Sequence, residues 1–378
     1  MTHSLRVGIV GYGLMAKTHT YAYRAAPQLR PVPVRFEPVA MSGRDATALA
    51  RAAADYGIAE YATDWRAIIK RTDVDVVDIC TPPGNHAEVA CAAAELGKSV
   101  LCEKPLAATY ADAMAALGAV ERMGVHHAVG FNYRHLPAVA LLREMVVAGE
   151  VGTVRLVRAT WLSDEFVDPD VPFDWRFDPT VGGSTIADLG SHLVDLAEWV
   201  VGPIREVSAM SSTFTSERSV AGSSRHVAVD DASCVLVRFD SGAQGTMEVA
   251  KVVPRRPCDF TVEINGTAGT LLFSYSRLNE LWFGDGRDDA RLYGMRRIRV
   301  EHPQHPETAG WWPIGQGVGY GASFVNQVFS MADAWPERPW QPGFDVGARV
   351  AGVCAAMERS AAEHRWVDVA EVVGDGPA

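Results

Sequence analysis

Between Gly182 and Trp199 the chain reads G-G-S-T-I-A-D-L-G-S-H-L-V-D-L-A-E-W, which places Asp188, His192 and Asp195 four and three residues apart. On an α-helix, at about 100° per residue, His192 lies about 40° from Asp188 and Asp195 about 20° from it, so three ionisable side chains share one face. A carboxylate beside an imidazole on a half-buried helix suits a general base, because histidine exchanges its proton near neutral pH. The spacing also admits a structural reading. Thr185-x-x-Asp188 is close to a capping box, which would commit Asp188 to closing the helix N-terminus.

A second reactive group is Lys104, in Glu103-Lys104-Pro105 just past the apolar run Ser99 to Cys102. An ammonium at a strand end can polarise an alcohol or carbonyl oxygen, and Pro105 stiffens its loop. A solvated Lys–Glu pair is the alternative. The third feature is Gly11-Tyr12-Gly13-Leu14-Met15-Ala16, between the strand-like Leu5 to Val10 and a helical pattern from Lys17 to Ala26. Strand, glycine turn and helix make the context of a dinucleotide fingerprint. Gly11 permits the turn, Gly13 lets a pyrophosphate approach the backbone, and Ala16 allows close helix packing.

The elements around these groups follow from the apolar pattern. Leu189, Leu193, Leu196 and Val200 form a stripe that seats the Asp188 helix on a core. Ser184 or Thr185 can cap its start, and Gly202-Pro203 stops it. Pro27 to Pro38 holds four prolines and is expected to be an extended connection before a second strand, Val39 to Met41. That strand runs into Ser42-Gly43-Arg44-Asp45. Ser42 and Arg44 can hold a 2′-phosphate, Asp45 can reach a ribose or cap the next helix, and NAD and NADP both stay open.

Helical stretches Asp45 to Tyr56, Asp64 to Lys70, Ala87 to Leu96 and Thr109 to Met123 alternate with strands Val74 to Cys80, Ser99 to Cys102 and His126 to Gly130. This βαβ alternation predicts a doubly wound parallel sheet, with ligands at the carboxyl ends of its strands. Three loops of that kind carry the unusual residues: Thr81-Pro82-Pro83-Gly84-Asn85-His86, Glu103-Lys104-Pro105 and Phe131-Asn132-Tyr133-Arg134.

After the helix Leu136 to Ala148 the texture changes to strands at Val154 to Trp161, Val207 to Phe214, Ala232 to Phe239, Ala243 to Ala250, Asp259 to Ile264 and Thr270 to Phe273. Asp240-Ser-Gly and Asn265-Gly supply hairpin turns. A mostly antiparallel sheet covered by the Ser184 to Val200 helix is expected, then a last helix from Val346 to Glu363 and a frayed tail after Val373. Ser163 to Asp178 stands apart. It holds Asp164, Glu165, Asp168, Asp170, Asp174 and Asp178 against the single Arg176. It is either a solvated acidic loop or a rim that attracts a cationic substrate such as an amino sugar. Trp311-Trp312 and Tyr320, in G-Q-G-V-G-Y-G at 315 to 321, can set aromatic faces on a sugar ring or pack in a core.

Composition excludes several classes. No apolar run approaches the roughly 18 residues that span a bilayer, and the first residues read as a strand rather than a signal peptide, so a cytoplasmic protein is expected. The net charge of −11 speaks against a nucleic-acid surface. Six scattered cysteines with no C-x-x-C, three of them in apolar strand- or helix-like contexts, suggest buried thiols rather than a disulfide framework, and no metal site is expected.

In order, G-x-G-x-x-A at 11 to 16, T-P-x-x-x-H at 81 to 86, E-K-P at 103 to 105, F-N-Y-R at 131 to 134 and G-G-x-x-x-x-D-L-G-x-H at 182 to 192 resemble the Gfo/Idh/MocA oxidoreductase family. The resemblance implies an α/β chain with two domains. Residues 1–131 would form a Rossmann dinucleotide-binding domain, and 132–378 an α/β substrate domain whose large open, mostly antiparallel sheet forms a homodimer or homotetramer. It implies Lys104, Asp188 and His192 as the catalytic set and Trp175-Arg176 near the nicotinamide. Gly11, Tyr12, Gly13, Leu14, Met15, Ser42, Arg44, Thr81, Pro82, His86, Glu103, Lys104 and Asn132 are the further cofactor candidates. Tyr133, Arg134 and Tyr320 join the catalytic set around the substrate. The expected activity is hydride transfer between a secondary ring hydroxyl of a sugar, glycoside or cyclitol and NAD, with NADP as the second cofactor. The rival readings are a cofactor-sensing regulator on the same fold, a redox-neutral enzyme that keeps its nicotinamide bound, and a metal-dependent alcohol dehydrogenase.

Overall fold

The computed structural model describes residues 3–220 and 222–374. The frayed tail expected after Val373 falls, from residue 375 on, outside the described residues. The chain divides into two compact units, residues 1–135 with 319–348 and residues 136–318 with 349–378. The return of 319–348 to the first unit has no counterpart in the sequence reading.

The first unit is built on six parallel strands: β1 (His3–Val10), β2 (Val34–Ser42), β3 (Glu60–Ala62), β4 (Val76–Ile79), β5 (Ser99–Cys102) and β6 (His127–Val129). Their order is β3-β2-β1-β4-β5-β6. Val7, Ile9, Val76, Val77, Ile79, Val100 and Leu101 are all buried, as strands covered on both faces require. Between them run α1 (Leu14–Leu29), α2 (Ala46–Asp55), α3 (Trp65–Ile69), α4 (His86–Glu95) and α5 (Tyr110–Met123). The order reverses at β1, so the carboxyl ends of β1 and β4 form the crevice where such sheets take ligands.

The proline segment corrects the sequence expectation. Pro27 lies within the last turn of α1, and β2 begins at Val34 and contains Pro38. Proline is tolerated at a bulge, and the β1–β2 register shifts between Val7 and Gly8, opposite Pro38. Only Arg30 to Pro33 connect the two elements.

The second unit opens with α6 (Pro137–Val147) and β7 (Val154–Leu162). A π turn at Ile186–Gly190 leads into α7 (Ser191–Val201). Then follow β8 (Ile204–Ser212), β9 (Glu217–Val220), β10 (Ser223–His226), β11 (Ala232–Phe239), β12 (Gln244–Ala250), β13 (Asp259–Gly266), β14 (Gly269–Ser274), β15 (Glu280–Asp285) and β16 (Arg296–Arg299). In the first unit, α8 (Gly321–Ala334) follows. Then α9 (Phe344–Glu363) runs to β17 (Val367–Asp368). Nine strands join in the order β16-β15-β14-β13-β7-β12-β11-β8-β17. All pairs are antiparallel except β7–β12. Alternate residues of β11 and β12 are buried and exposed, so one face carries the core and the other is open. The Asn265-Gly266 turn is a second correction. Both residues lie in β13, and the reversal is made by Thr267 and Ala268.

The acidic segment is not a plain solvated loop. Phe166 and Phe177 bury themselves with Val227 and Val229 in a small core of their own. Arg218 on β9 is 1% exposed. Its guanidinium donates to the carbonyls of Phe166, Asp168 and Val171 and stacks on the Phe177 ring at 4.4 Å. An arginine buried in this way must spend its N–H groups on acceptors, and here the acceptors are the segment's own backbone.

Candidate active site

In the first unit the glycine turn does what its residue types predict. Gly11 has φ +116°, donates its N–H to Ser42 O at 2.9 Å, and would place a Cβ 2.6 Å from Cys80 O. Only glycine fits there. Gly13 has open space where a Cβ would stand. No side chain caps the first N–H groups of α1, and no acidic residue lies in its first turn. An uncapped helix start behind a bare glycine fits a dinucleotide pyrophosphate. Tyr12, Leu14 and Met15 surround this turn, Leu14 being 68% exposed. At the end of β2, Ser42 is buried with no hydrogen-bond partner on Oγ, and Arg44 is exposed. Asp45 accepts the Ala48 N–H at 2.8 Å, so its carboxylate is the N-cap of α2.

The loops after β4 and β5 are tied together by His86. Its ring is fully buried, with Nδ1 2.9 Å from Pro105 O and Nε2 2.7 Å from Thr81 O. Burial holds its proton affinity below the ordinary histidine value. Thr81 and Pro82 are half-buried on the same loop, and Thr81 Oγ1 donates to Asn85. Lys104 is half-buried and precedes a cis Pro105. Glu103 is buried. Its carboxylate accepts the Lys104 backbone N–H at 3.2 Å and meets His19 Nε2 at 3.0 Å. His19 Nδ1 lies 3.0 Å from both oxygens of Asp78, to which Tyr23 also donates. Sequence reasoning missed this set. An aspartate inside the apolar strand V-V-D-I-C was the available signal, since a buried carboxylate needs partners.

Asn132, Tyr133 and Arg134 follow β6 and are all buried; Asn132 donates to Ser323 Oγ on α8 at 2.7 Å. Tyr320, at the start of α8, meets Phe324 edge-on at 5.1 Å.

In the second unit the structure brings Trp175, Arg176 and Asp188 together. Gly183 would place a Cβ 2.6 Å from the carbonyls of both Trp175 and Arg176, so the missing side chain lets that turn lie against the helix start. Arg176 stacks on Trp175 at 4.6 Å and brings Nε to 3.6 Å from Asp188 Oδ2. Asp188 sits inside the π turn. A π turn closes i→i+5 bonds, as Ser191 does to Ile186, so the uniform 100° step does not run from Asp188 to His192. Nor does Asp188 cap the helix. Ser184 Oγ accepts the Ala187 N–H, and Asp230 accepts those of Thr185 and Ile186. Leu189, Leu193, Leu196 and Val200 are buried as expected, each burial stabilising by roughly 1.5–3 kcal/mol. His192 is 3% exposed, its ring 5.2 Å from that of Trp161. Asp195 is also buried.

The second omission is Lys251, whose ammonium lies 2.6 Å from Asp188 Oδ2. Its position just past an alternating strand gave no sign of that partner. Trp311 and Trp312, with Asn279, Glu301, Thr308 and Val318, line a small cavity in this unit.

All six cysteines are free thiols; Cys80, Cys102 and Cys354 are buried as expected, whereas Cys91 and Cys258 are half-buried and Cys234 is exposed. No described helix is long and apolar enough to cross a membrane. Comparison with known proteins agrees with this layout. Residues 5–131 match an oxidoreductase family with an NAD-binding Rossmann fold, and residues 139–272 match the GFO/IDH/MocA C-terminal domain. The chain is 36% identical to levoglucosan dehydrogenase of Pseudarthrobacter phenanthrenivorans over 98% of its own length and 99% of that protein. It is similar to the solved structure of a levoglucosan dehydrogenase in complex with NADH and levoglucosan, with a TM-score of 0.94, 37% identity, and 97% and 100% of the two chains covered. An oxidoreductase domain protein from Kribbella flavida aligns with a TM-score of 0.94 at 41% identity, over 98% and 100% of the chains. With an NAD-binding Rossmann unit and the matching C-terminal domain in one chain, the protein belongs to the Gfo/Idh/MocA oxidoreductase family.

Proposed function

We propose that the protein is an NAD-dependent dehydrogenase of a secondary ring hydroxyl on a neutral sugar, with an anhydro sugar of the levoglucosan type as the first substrate to test. The observation that carries this reading is the pairing of Asp188 with two cations on the element that also bears His192. A carboxylate so held is an anchor for a hydroxyl and a poor base, which leaves the imidazole to take the proton. The bound nicotinamide supplies the hydride acceptor. His192 removes the hydroxyl proton, Lys104 stabilises the developing alkoxide and then the carbonyl oxygen, and Asp188 orients the reacting hydroxyl.

For the cofactor we assign Gly11 to Met15 to the pyrophosphate, Ser42 and Arg44 to the adenosine ribose, and Thr81, Pro82, Glu103, Lys104, Asn132, Trp175 and Arg176 to the nicotinamide end. His86 acts from behind, by joining the two loops. Tyr133, Arg134 and Tyr320 are assigned to the sugar. Residues 1–131 serve the cofactor in this reading, and 132–378 the substrate and self-association. The open sheet face, where Leu156, Met210 and Leu236 are exposed, supports a homodimer or homotetramer. Free thiols agree with a cytoplasmic enzyme.

A cationic substrate is the second reading. In the acidic segment Glu165 and Asp174 pair with Arg176, and Asp178 with Arg225, but Asp164, Asp168 and Asp170 have no ion pair among the described residues. Initial rates of NADH formation separate the two. Levoglucosan, glucose, inositol and simple glycosides form one set, and glucosamine, kanosamine-type sugars and aminoglycosides the other. Turnover of the neutral set without salt dependence is expected. Preference for the cationic set, weakening with added salt, would replace it with the second reading. No turnover with either set would favour a cofactor-sensing regulator. A nicotinamide absorbance that stays with the purified protein would favour a redox-neutral enzyme.

A further inference from the structure

Lys251 follows β12 at the carboxyl end of the one parallel pair in the large sheet. It is 2% exposed, the one buried lysine among the described residues. Its backbone is fixed at both groups: the N–H donates to Asp231 O at 3.0 Å, and the carbonyl accepts the Phe166 N–H at 2.8 Å. The ammonium then lies 2.6 Å from Asp188 Oδ2 and 5.2 Å from the centre of the Phe166 ring. Arg176 approaches the same oxygen at 3.6 Å. Behind Arg176 stand Glu165 and Asp174, while Asp230 and Glu358 serve Ser184 at the helix start.

A buried ion pair contributes little net stability, because dehydrating both charges cancels most of their attraction. An apolar residue of similar length would seat this strand end as well. The charge therefore points to a task at Asp188. Resting on the reading of Asp188 and His192 as the pair that handles the reacting hydroxyl, we propose that Lys251 is a positioning residue that holds the Asp188 carboxylate, together with Arg176, in one orientation and as an anion throughout the reaction. The proton of the hydroxyl goes to His192, the C–H electron pair leaves as hydride to the bound cofactor, and a carbonyl forms. Asp188 and Lys251 end the step in the protonation states in which they began.

The test uses the full-length enzyme and the variants Lys251→Met and Lys251→Arg, with NADH binding followed by fluorescence. Methionine keeps most of the stem volume and loses the charge. For Lys251→Met, kcat/KM for the sugar should fall roughly 10- to 100-fold, as when the outer partner of a ligating group is lost. NADH affinity should hold, and the acid limb of the pH–rate profile should move to higher pH, because an anion that loses a cation takes up a proton more readily. Lys251→Arg should recover most of the rate. In an Asp188→Asn background, removing the Lys251 charge should cost nothing further. A wild-type pH profile and kcat/KM in Lys251→Met, or losses that add in the double variant, would overturn the inference.

If Lys251→Met does not fold, the Lys251→Met/Asp188→Asn pair, which removes both charges, restores the test. A fold recovered there supports the coupling, and a fold lost equally speaks against it. If the wild-type protein turns over no sugar while binding NADH, the proposed function fails on its own. The coupling of the two positions is then read from melting temperatures, where strictly additive shifts would overturn it too.

Discussion

His19 Nε2 lies 3.0 Å from the Glu103 carboxylate and so ties the first helix to the residue that precedes Lys104. Burial by itself would strip the imidazole of its proton. The Asp78 carboxylate on its other side, with Cys80 adding to it, more than offsets that, and His19 is held well above the ordinary histidine value. A group whose folded value is raised stabilises the fold fully below its unfolded value of about 6.5, and that contribution is lost as pH rises toward the folded value. His19→Gln should therefore be destabilised by about 3–5 kcal/mol at pH 6, the cost of breaking a buried pair. The gap to wild type should narrow as pH climbs above 6.5. Denaturant titrations across that range check it, and parallel curves would show that His19 is neutral in the folded protein.

The same residues mark how far a sequence can be read. Strand, glycine turn and helix at Leu5 to Ala26 were legible because each depends on local chemistry, and Gly11 alone nearly dictates its turn. Pro27 and Pro38 misled because the surrounding structure decides what a proline costs: Pro27 falls in the last turn of α1 and Pro38 opposite the register shift after Val7, and neither breaks its element. The four-residue spacing of Asp188 and His192 was legible, but the π turn between them was not, since helical spacing alone does not tell an i→i+5 turn from an i→i+4 one. Lys251 and His19 escaped notice because their partners are 63 and 59 residues away in sequence.

Lys104 gives the most direct test of the chemistry. Lys104→Met should lower kcat by roughly 10²–10⁴-fold, the range for removing one preorganised electrostatic or proton-transferring group. NADH affinity should stay within about threefold, because the phosphates are assigned to the Gly11 to Met15 turn. Stopped-flow turnover and fluorescence titration separate the two quantities. Equal losses in both would mean that Lys104 only holds the cofactor.

Gly11 and Gly13, two residues apart in the same turn, should answer differently to alanine.

 At Gly11 a Cβ would stand 2.6 Å from Cys80 O on a backbone of φ +116°, so Gly11→Ala should misfold the turn and lower the melting temperature. At Gly13 nothing lies within 4 Å of a new Cβ, and the backbone is ordinary extended chain. Gly13→Ala should keep the wild-type melting temperature without ligand. It should weaken NADH binding roughly tenfold or more, because the methyl group occupies space that a pyrophosphate needs against the helix start. Calorimetry with and without NADH distinguishes the two variants. Unchanged NADH affinity in Gly13→Ala would move the phosphates away from this turn.

The turn after β2, which we assign to the adenosine ribose, should decide between the two nicotinamide cofactors. Asp45 is engaged as the α2 cap, with the Ala48 N–H at 2.8 Å, so it is poorly free to bind both ribose hydroxyls of NAD. Ser42 offers a buried hydroxyl with no partner, and Arg44 an exposed guanidinium two residues on. A guanidinium adds a charge-assisted bond to a 2′-phosphate, about 1.5–3 kcal/mol, and has no such anion to meet on NAD. Arg44→Ala should therefore lower kcat/KM for NADP by roughly 10- to 100-fold, and for NAD by much less. Steady-state rates with both cofactors at low and high salt measure the difference, and the NADP loss should shrink as salt screens the exposed pair. Equal losses for the two cofactors would place Arg44 on a group they share, such as the adenine or the pyrophosphate, and would leave Ser42 as the residue that faces the ribose.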